Sequence, residues 1–172
     1  TVCNTSPIYV LTFAHCCDWL SHYNDLRNST LVLIDSLVST DMGQISTTTT
    51  TRLPFRGTLY KKMYGRENSQ LRFIRDSLEQ IYNLYRHGDM SAAGWDDGKT
   101  TNFLESINRQ IVELNECVSA LQLELRLTGV LTRVLLLQGG RDGWEMLRRA
   151  TEQNLIQLEQ LGNRIKANRG QH

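Results

Sequence analysis

The sequence is poor in proline, in long apolar runs and in excess charge. Only two of its 172 residues are proline, and this scarcity favours long helices because proline disrupts a helix interior at a cost of about 3 kcal/mol. No apolar run approaches the roughly 18–20 residues that span a bilayer. Nineteen basic residues against eighteen acidic ones leave a net charge of +1, which gives no electrostatic case for nucleic-acid binding. The composition therefore indicates one compact domain.

The sequence also lacks the patterns of catalytic and metal sites. No glycine-rich loop precedes a helix in phosphate-binding form, and the four histidines have no metal-ligand spacing. His15 beside Cys16 and Cys17 offers a base and a thiol. Neighbours in sequence, however, seldom present both groups to one substrate atom. We therefore expect no enzymatic activity, no cofactor and no metal.

Apolar residues at steps of three and four predict four amphipathic helices. These stripes occupy about residues 18–38, 67–87, 102–121 and 142–165, and the first is the least regular. The residues expected to cap the later helices are Asn68 or Ser69, Gly88 in a left-handed conformation, Asn102 with Glu105, and Asp142 with Glu145. The sequence thus predicts an all-α fold.

Two further segments bear on the topology. Residues 121–138 alternate leucine with polar residues at strand period, but these residue types form helices well and no partner strand is predicted, so we favour a helix. The connection over residues 39–66 is long for a small helical domain. In a four-helix bundle such a connection can cross the whole bundle, which makes the first two helices parallel, as in helical cytokines.

The first sixteen residues allow two interpretations. Residues 8–14 form a short apolar run, and Ala14-His15-Cys16 then places small residues at the −3 and −1 positions of a cleavage site, as at the end of a secretory signal. The alternative is an ordinary buried N-terminal segment. We therefore divide the chain into residues 1–16, a signal-peptide remnant or N-terminal extension, and residues 17–172, a single helical domain.

Cysteines and glycosylation sequons point weakly towards the secretory pathway. An even number of cysteines permits disulfides without proving them. The four cysteines are Cys3, Cys16, Cys17 and Cys117. Two sequons make Asn4 and Asn28 candidate glycosylation sites, although sequons also arise often by chance.

Five short motifs follow one another in an order and spacing that resembles the vertebrate type I interferons. They are Cys17-Asp18-Trp19-Leu20, Leu53-Pro54-Phe55-Arg56, Ser91-Ala92-Ala93-Gly94-Trp95-Asp96, Leu114-Asn115-Glu116-Cys117-Val118 and Gly143-Trp144-Glu145-Met146-Leu147-Arg148. The first two are closest to the two-cysteine group of fish interferons. The resemblance covers about residues 17–165.

The resemblance implies a four-helix-bundle cytokine with a long first crossover loop and an extra or shortened fourth helix. It implies a disulfide between Cys17 and Cys117, and leaves Cys3 and Cys16 without family partners. Trp95 and Trp144 are expected to pack within the molecule rather than contact a partner.

The resemblance also implies a secreted protein that bridges two chains of a class II cytokine receptor and triggers antiviral signalling. The first helix, the first loop and the last helix would meet the tighter-binding chain, with Arg148 and Arg52 as contacts. The second and third helices would meet the weaker chain, with Tyr82 and Asn83 as contacts. The alternatives are another class II helical cytokine, interleukin-10-like or type III interferon-like, and an intracellular helical scaffold.

The stretch between Cys117 and Trp144 holds only 26 residues, which is short for a loop and a full fourth helix. Val118 and Leu121 continue the preceding stripe, and no turn residue follows until Gly129. One helix over residues 102–128 would keep the last helix from its own bundle. This pattern predicts a domain-swapped dimer alongside the monomer, with its hinge between residues 119 and 128.

Overall fold

A computed structural model describes residues 18–37, 67–118 and 140–169 of the chain. These residues form four α-helices, α1 (Asp18–Ser36), α2 (Glu67–His87), α3 (Asp97–Cys117) and α4 (Arg141–Arg169), with a 3₁₀-helix over Met90–Ala93. No strand occurs within these three ranges, and the all-α prediction is confirmed. Residues 39–66 and 121–138, for which a crossing connection and a helix were predicted, lie outside the described residues.

The four helices form a square in which neighbouring helices are antiparallel. Helix α1 packs against α3 and α4, and α2 packs against the same two helices. Lys99 in the first turn of α3 donates to the Ser36 carbonyl at the end of α1. Glu67 at the start of α2 pairs with Arg169 at the end of α4. Arg148 near the start of α4 donates to the Ile34 carbonyl in the last turn of α1. Helices α1 and α2 are therefore parallel across one diagonal, as their long connection predicts, and α3 and α4 are parallel across the other.

The predicted stripes on α2, α3 and α4 are buried where the helices meet. The structure also shows why the apolar stripe of α1 is irregular. Its buried positions include Trp19, Tyr23, Leu26, Thr30 and Ile34, which follow helical steps of three and four. A polar residue occupies the fourth of these positions, and a search for apolar residues alone therefore breaks the stripe. Thr30 is satisfied there because its hydroxyl donates to the Leu26 carbonyl (2.8 Å) and accepts from Gln110 Nε2 (2.8 Å).

Helix α3 begins earlier than its predicted capping box. Asp96 is the N-cap, with extended backbone angles and a carboxylate that accepts from the Lys99 amide at 2.8 Å. Asn102 lies five residues inside the helix and is exposed. The other predicted caps, Asn68, Ser69 and Asp142, also lie within their helices. For α3 the sequence signal was ambiguous because Asp96, Asp97 and Asn102 all precede its stripe, and all three residues favour the N-cap.

Gly88 ends α2, but not in the predicted left-handed conformation; positive φ occurs at Gly94 and Gly140 among the described glycines. Gly88 instead allows a close approach. A Cβ at this position would lie 2.9 Å from Trp144 Cζ2 and 2.9 Å from the Leu84 carbonyl oxygen. The absence of a side chain at this position is what lets the Trp144 ring rest on the end of α2.

Helix α3 ends at Cys117, so the prediction of one continuous helix over residues 102–128 is wrong. Val118 has extended backbone angles (φ −121°, ψ 127°), a region that suits its β-branched side chain. Helix α4 packs against α1 and α2 of its own chain. The domain-swapped dimer was predicted from that continuous helix, which does not form. The predicted hinge, residues 119–128, lies outside the described residues.

Candidate functional site

The contact between α1 and α4, which we call the α1–α4 seam, centres on Tyr23, Arg27, Ile34, Arg148 and Glu159. The Tyr23 hydroxyl donates to the Glu159 carbonyl oxygen, and Arg27 Nη1 lies 2.7 Å from Glu159 Oε1. Burial, together with the nearby Glu159 carboxylate, raises the pKa of Tyr23 far above its usual range. The hydroxyl therefore remains a donor at any physiological pH.

A glycine brings the two helices of the seam together. A Cβ at Gly162 would lie 2.7 Å from Tyr23 Cζ and 2.9 Å from its hydroxyl oxygen. The ring thus occupies the space that a side chain at position 162 would need. A glycine inside a helical stripe is a sequence signal for such an approach, although the sequence does not show which ring approaches.

Arg148, the predicted contact for the tighter receptor chain, is only 6% exposed. Its guanidinium makes a bidentate pair with Glu145, Nε to Oε2 at 2.9 Å and Nη2 to Oε1 at 3.0 Å. Nη1 also lies 3.3 Å from Glu152 Oε2 and donates to the Ile34 carbonyl at 3.4 Å. Carbonyls in the last turn of a helix lack the usual intrahelical donor, and the Ile34 carbonyl accepts only a long bond from the Leu37 amide, at 3.4 Å. Arg148 adds a second donor from α4 and so helps to cap α1.

The charges around Arg148 stabilise one another. Burial opposes the charge of Arg148, but hydrogen bonds and the negative charge of Glu145 raise the pKa of its guanidinium overall. Burial likewise acts to raise the pKa of Glu145, yet the bonds from Arg148 and Arg149 lower it overall. The exposed cation at this place is Arg149, whose side chain is 52% exposed and pairs with Glu145 Oε1 at 2.9 Å. Whether Arg148 itself contacts a receptor chain stays a prediction.

An aromatic cluster joins α4 to the connection between α2 and α3. Trp144 is 4% exposed, and its Nε1 donates to the Asp89 carbonyl at 2.8 Å. Its ring centroid lies 5.8 Å from that of Trp95 and 6.0 Å from that of Tyr85, which in turn lies 5.3 Å from Phe103. Trp95 is half-buried. Both tryptophans therefore pack within the molecule, as expected.

The residues predicted to meet the weaker receptor chain lie on α2. Tyr82 is half-buried, and its hydroxyl accepts from Arg86 Nη1 at 3.1 Å, with the guanidinium carbon 5.6 Å from the ring centroid. Asn83 is exposed. Both residues thus offer surface to a partner, and their role stays a prediction. Arg52, the other candidate, lies outside the described residues.

Cys117 is disulfide-bonded, and its partner lies outside the described residues. Near it, Glu113 Oε2 lies 3.9 Å from His22 Nδ1, so the last turns of α3 lie beside the first turns of α1. Cys17 directly precedes α1 in sequence. Its pairing with Cys117 stays a prediction.

Of the two sequons, Asn4 lies outside the described residues and Asn28 is exposed on α1. The Asn28 side-chain oxygen accepts two bonds from its neighbour Arg27, from Nε at 3.0 Å and from Nη2 at 2.6 Å. The same guanidinium pairs with Glu159 across the seam. The spacing of residues along the sequence does not predict ion pairs between different helices, so the sequence analysis missed this pair.

Two kinds of feature are absent from residues 18–37, 67–118 and 140–169. No three of their histidine, cysteine, aspartate and glutamate side chains form a group that could hold a metal ion. None of the helices in these ranges is long and apolar enough to cross a membrane.

Comparisons with known proteins identify a sequence relative and solved structures of similar fold. No protein-family profile matches the chain. The chain is 30% identical over 153 residues to "Interferon a3" of Oncorhynchus mykiss, an alignment that covers 84% of each sequence. The fold is similar to that of "Zebrafish interferon 1", with a TM-score of 0.65, 22% identity, and coverage of 87% of this chain and 99% of that chain. The sequence alignment thus spans most of both proteins, and the structural likeness concerns the fold.

Proposed function

The chain belongs to the interferon family, among its fish type I members, and from that premise we propose that it is a secreted cytokine that bridges two receptor chains. Bringing the two chains together outside the cell would activate the kinases bound to them inside, and antiviral genes would follow. The observation that supports this best is the arrangement of the helices. Helices α1 and α4 form one side of the square, and α2 and α3 form the opposite side.

Opposite sides suit a bridging mechanism for a steric reason. A receptor chain seated on α1 and α4 leaves α2 and α3 free for a second chain, and the rigid bundle fixes the distance between the two. The tighter chain would meet α1, α4 and the first loop, with Arg148 and Arg52 as its proposed contacts. The weaker chain would meet α2 and α3 around Tyr82 and Asn83.

We further propose that Cys17 and Cys117 form the disulfide. The end of α3 lies beside the start of α1, which Cys17 directly precedes in sequence, and this agrees with the pairing that the resemblance implies. Closing a loop of about 100 residues contributes roughly 4–5 kcal/mol to stability in the chain-entropy account. Non-reducing peptide mapping of the secreted protein should find these two cysteines joined, and a different partner for Cys117 would refute the pairing.

The rival functions make different predictions. Another class II cytokine, interleukin-10-like or type III interferon-like, would signal through a different receptor pair. An intracellular scaffold would carry a reduced Cys117 and would not signal when applied to cells. The sequence relative favours the type I interferon over both.

The test pairs one variant on each side of the bundle. Arg149→Glu reverses an exposed charge on α4, and Asn83→Arg enlarges an exposed residue on α2. Each should weaken binding to one receptor ectodomain, leave binding to the other unchanged, and reduce antiviral reporter induction in cells. Circular dichroism controls for folding. If both variants affect the same ectodomain, or if the wild-type protein induces no reporter, the bridging proposal is wrong.

A further inference from the structure

The sequon Asn28-Ser29-Thr30 lies in the middle of α1, at the edge of the α1–α4 seam. Asn28 is exposed, and its oxygen is bonded to Arg27, whose guanidinium reaches Glu159 on α4. Any group attached to Asn28 would therefore leave the molecule next to the line where α1 and α4 meet. The fold itself makes no other use of the Asn28 amide.

The orientation of the Asn28 amide is fixed by chemistry. A guanidinium has only donors, so the atom that faces Arg27 must be the amide oxygen. The amide nitrogen, Nδ2, then points away from Arg27, and no described hydrogen bond involves it. That nitrogen is the atom to which an N-linked glycan is joined. The folded structure thus accommodates a glycan without losing a described contact.

The third residue of the sequon tells when a glycan would be added. Thr30 is 1% exposed, and its hydroxyl contacts the Leu26 carbonyl, Ser106 Oγ at 2.5 Å and Gln110 Nε2. The transferase recognises the sequon through this hydroxyl on an extended chain, which the folded helix cannot present. Modification of Asn28 must therefore precede the folding of α1 against α3.

We propose that Asn28 carries an N-linked glycan, added before the chain folds, that covers the α1–α4 seam and slows docking of the receptor chain that binds there. Both parts rest on the proposed function: the glycan on secretion of the chain, and the effect on docking on the receptor chain that meets α1 and α4. Since the glycan is bulky and adjoins the seam, it reduces the fraction of encounters with a productive orientation. The expected effect is an association rate about tenfold lower, the small end of the range seen within one interface.

Occupancy is tested by mass spectrometry of the protein secreted from eukaryotic cells. Asn28 should be glycosylated, Asn28→Gln should lose one glycan, and Thr30→Ser, which keeps both the sequon and the hydroxyl, should retain it. In vitro, a transferase with its lipid-linked donor should modify the reduced and alkylated chain at Asn28 but not the folded protein. An unoccupied Asn28 in the secreted protein refutes the glycan, and modification of the folded protein refutes the stated order of events.

The docking effect is tested by association kinetics with both receptor ectodomains. Wild-type protein is compared with its enzymatically deglycosylated form, with Asn28→Gln, and with Thr30→Ser as the control that keeps the sequon and its glycan. Loss of the Asn28 glycan should accelerate association with the chain that meets α1 and α4, and leave the other chain unaffected. Equal rates refute the covering of the seam. Failure of every form to bind either ectodomain refutes the proposed function, while the occupancy result still stands.

Discussion

Helix α4 is held to its two neighbours by different chemistry at its two contacts. The α1–α4 seam carries charged bonds between the two helices, from Arg148 to the Ile34 carbonyl and from Arg27 to Glu159. Towards α2, the aromatic cluster around Trp144 packs ring against ring. Ring packing depends mainly on buried area and shape, whereas charged pairs depend on pH and salt.

The two contacts nevertheless share one device. Each places an aromatic ring over a glycine on the neighbouring helix, Tyr23 over Gly162 and Trp144 over Gly88. A hydrogen bond to a main-chain carbonyl then fixes each ring, from Tyr23 to Glu159 and from Trp144 to Asp89. Both rings are therefore positioned in the same way, and the two contacts differ only in the groups that surround the rings.

The largest expected effect is the loss of the central ring of the aromatic cluster. Trp144→Ala should lower the free energy of unfolding by about 3–5 kcal/mol, since it removes a buried aromatic side chain and leaves a cavity. Urea denaturation measures this. Trp95→Ala, at the half-buried edge of the same cluster, is the matched control and should cost clearly less; equal costs would show that the cluster has no centre.

The next largest effect on stability should come from adding a side chain at Gly162 or Gly88. Gly162→Ala and Gly88→Ala should each lower the free energy of unfolding by about 1–3 kcal/mol, because the new methyl group overlaps a ring that cannot move freely. Thermal unfolding followed by circular dichroism measures this. Gly98→Ala is the control, at an exposed position in the first turn of α3 where a Cβ would meet only the side chain of Asp96, at 3.1 Å from Oδ1; it should cost clearly less. If all three variants behave alike, the close approaches are not needed.

Removal of Arg148, which helps to cap α1, should have the third largest effect on stability. Arg148→Ala should lower the free energy of unfolding by about 2 kcal/mol, since it leaves Glu145 without its bidentate partner and removes the bond that α4 donates to the Ile34 carbonyl. It should also weaken signalling while helical circular dichroism persists. Arg149→Ala, whose side chain is exposed, should change stability by no more than about 0.5 kcal/mol. Unchanged stability and unchanged signalling in Arg148→Ala would contradict both roles considered for this residue.

The smallest expected effect is a difference in acid sensitivity. The pKa of Glu145 is lower in the folded protein than its usual 4.5, so its ionised form contributes stability that is complete above that value and is lost as the pH falls through the lowered folded pKa. Solvent screening keeps this contribution below about 1 kcal/mol. Unfolding curves at pH 7 and pH 3 should therefore differ less for Glu145→Gln than for the wild-type protein. An identical difference in both would show that Glu145 does not couple stability to pH.

The sequence predicted the helices well and their mutual contacts poorly. Periodicity located the stripes on α2, α3 and α4 because burial of one face is a local pattern. It missed Thr30 in the α1 stripe because two of the partners that satisfy its buried hydroxyl, Ser106 and Gln110, lie 76 and 80 positions away on α3. Gly88 was read as a helix stop with positive φ, whereas its role depends on Trp144, which sequence spacing cannot connect to it.

The candidate site shows the same limit. The Trp-Glu-x-x-Arg motif was recognised correctly, but its spacing could not tell a residue at a partner's surface from one that holds helices together. Arg148 lies beside the apolar stripe of α4, and it bonds a carbonyl at the end of α1, 114 positions earlier, which sequence spacing does not reveal. Asn83, with no such neighbour, is exposed as expected.

The square of alternating directions also sets the electrostatic character of the bundle's two ends. Each α-helix carries a macrodipole, equivalent to about half a positive charge at its N-terminus and half a negative charge at its C-terminus. Every end of this four-helix square joins two N-termini to two C-termini, so the partial charges cancel at both ends, and adjacent dipoles attract along every side. Long-range electrostatic attraction of a partner to these helices must therefore come from charged side chains such as Arg149. Substitution of these side chains removes that attraction, and added salt screens it.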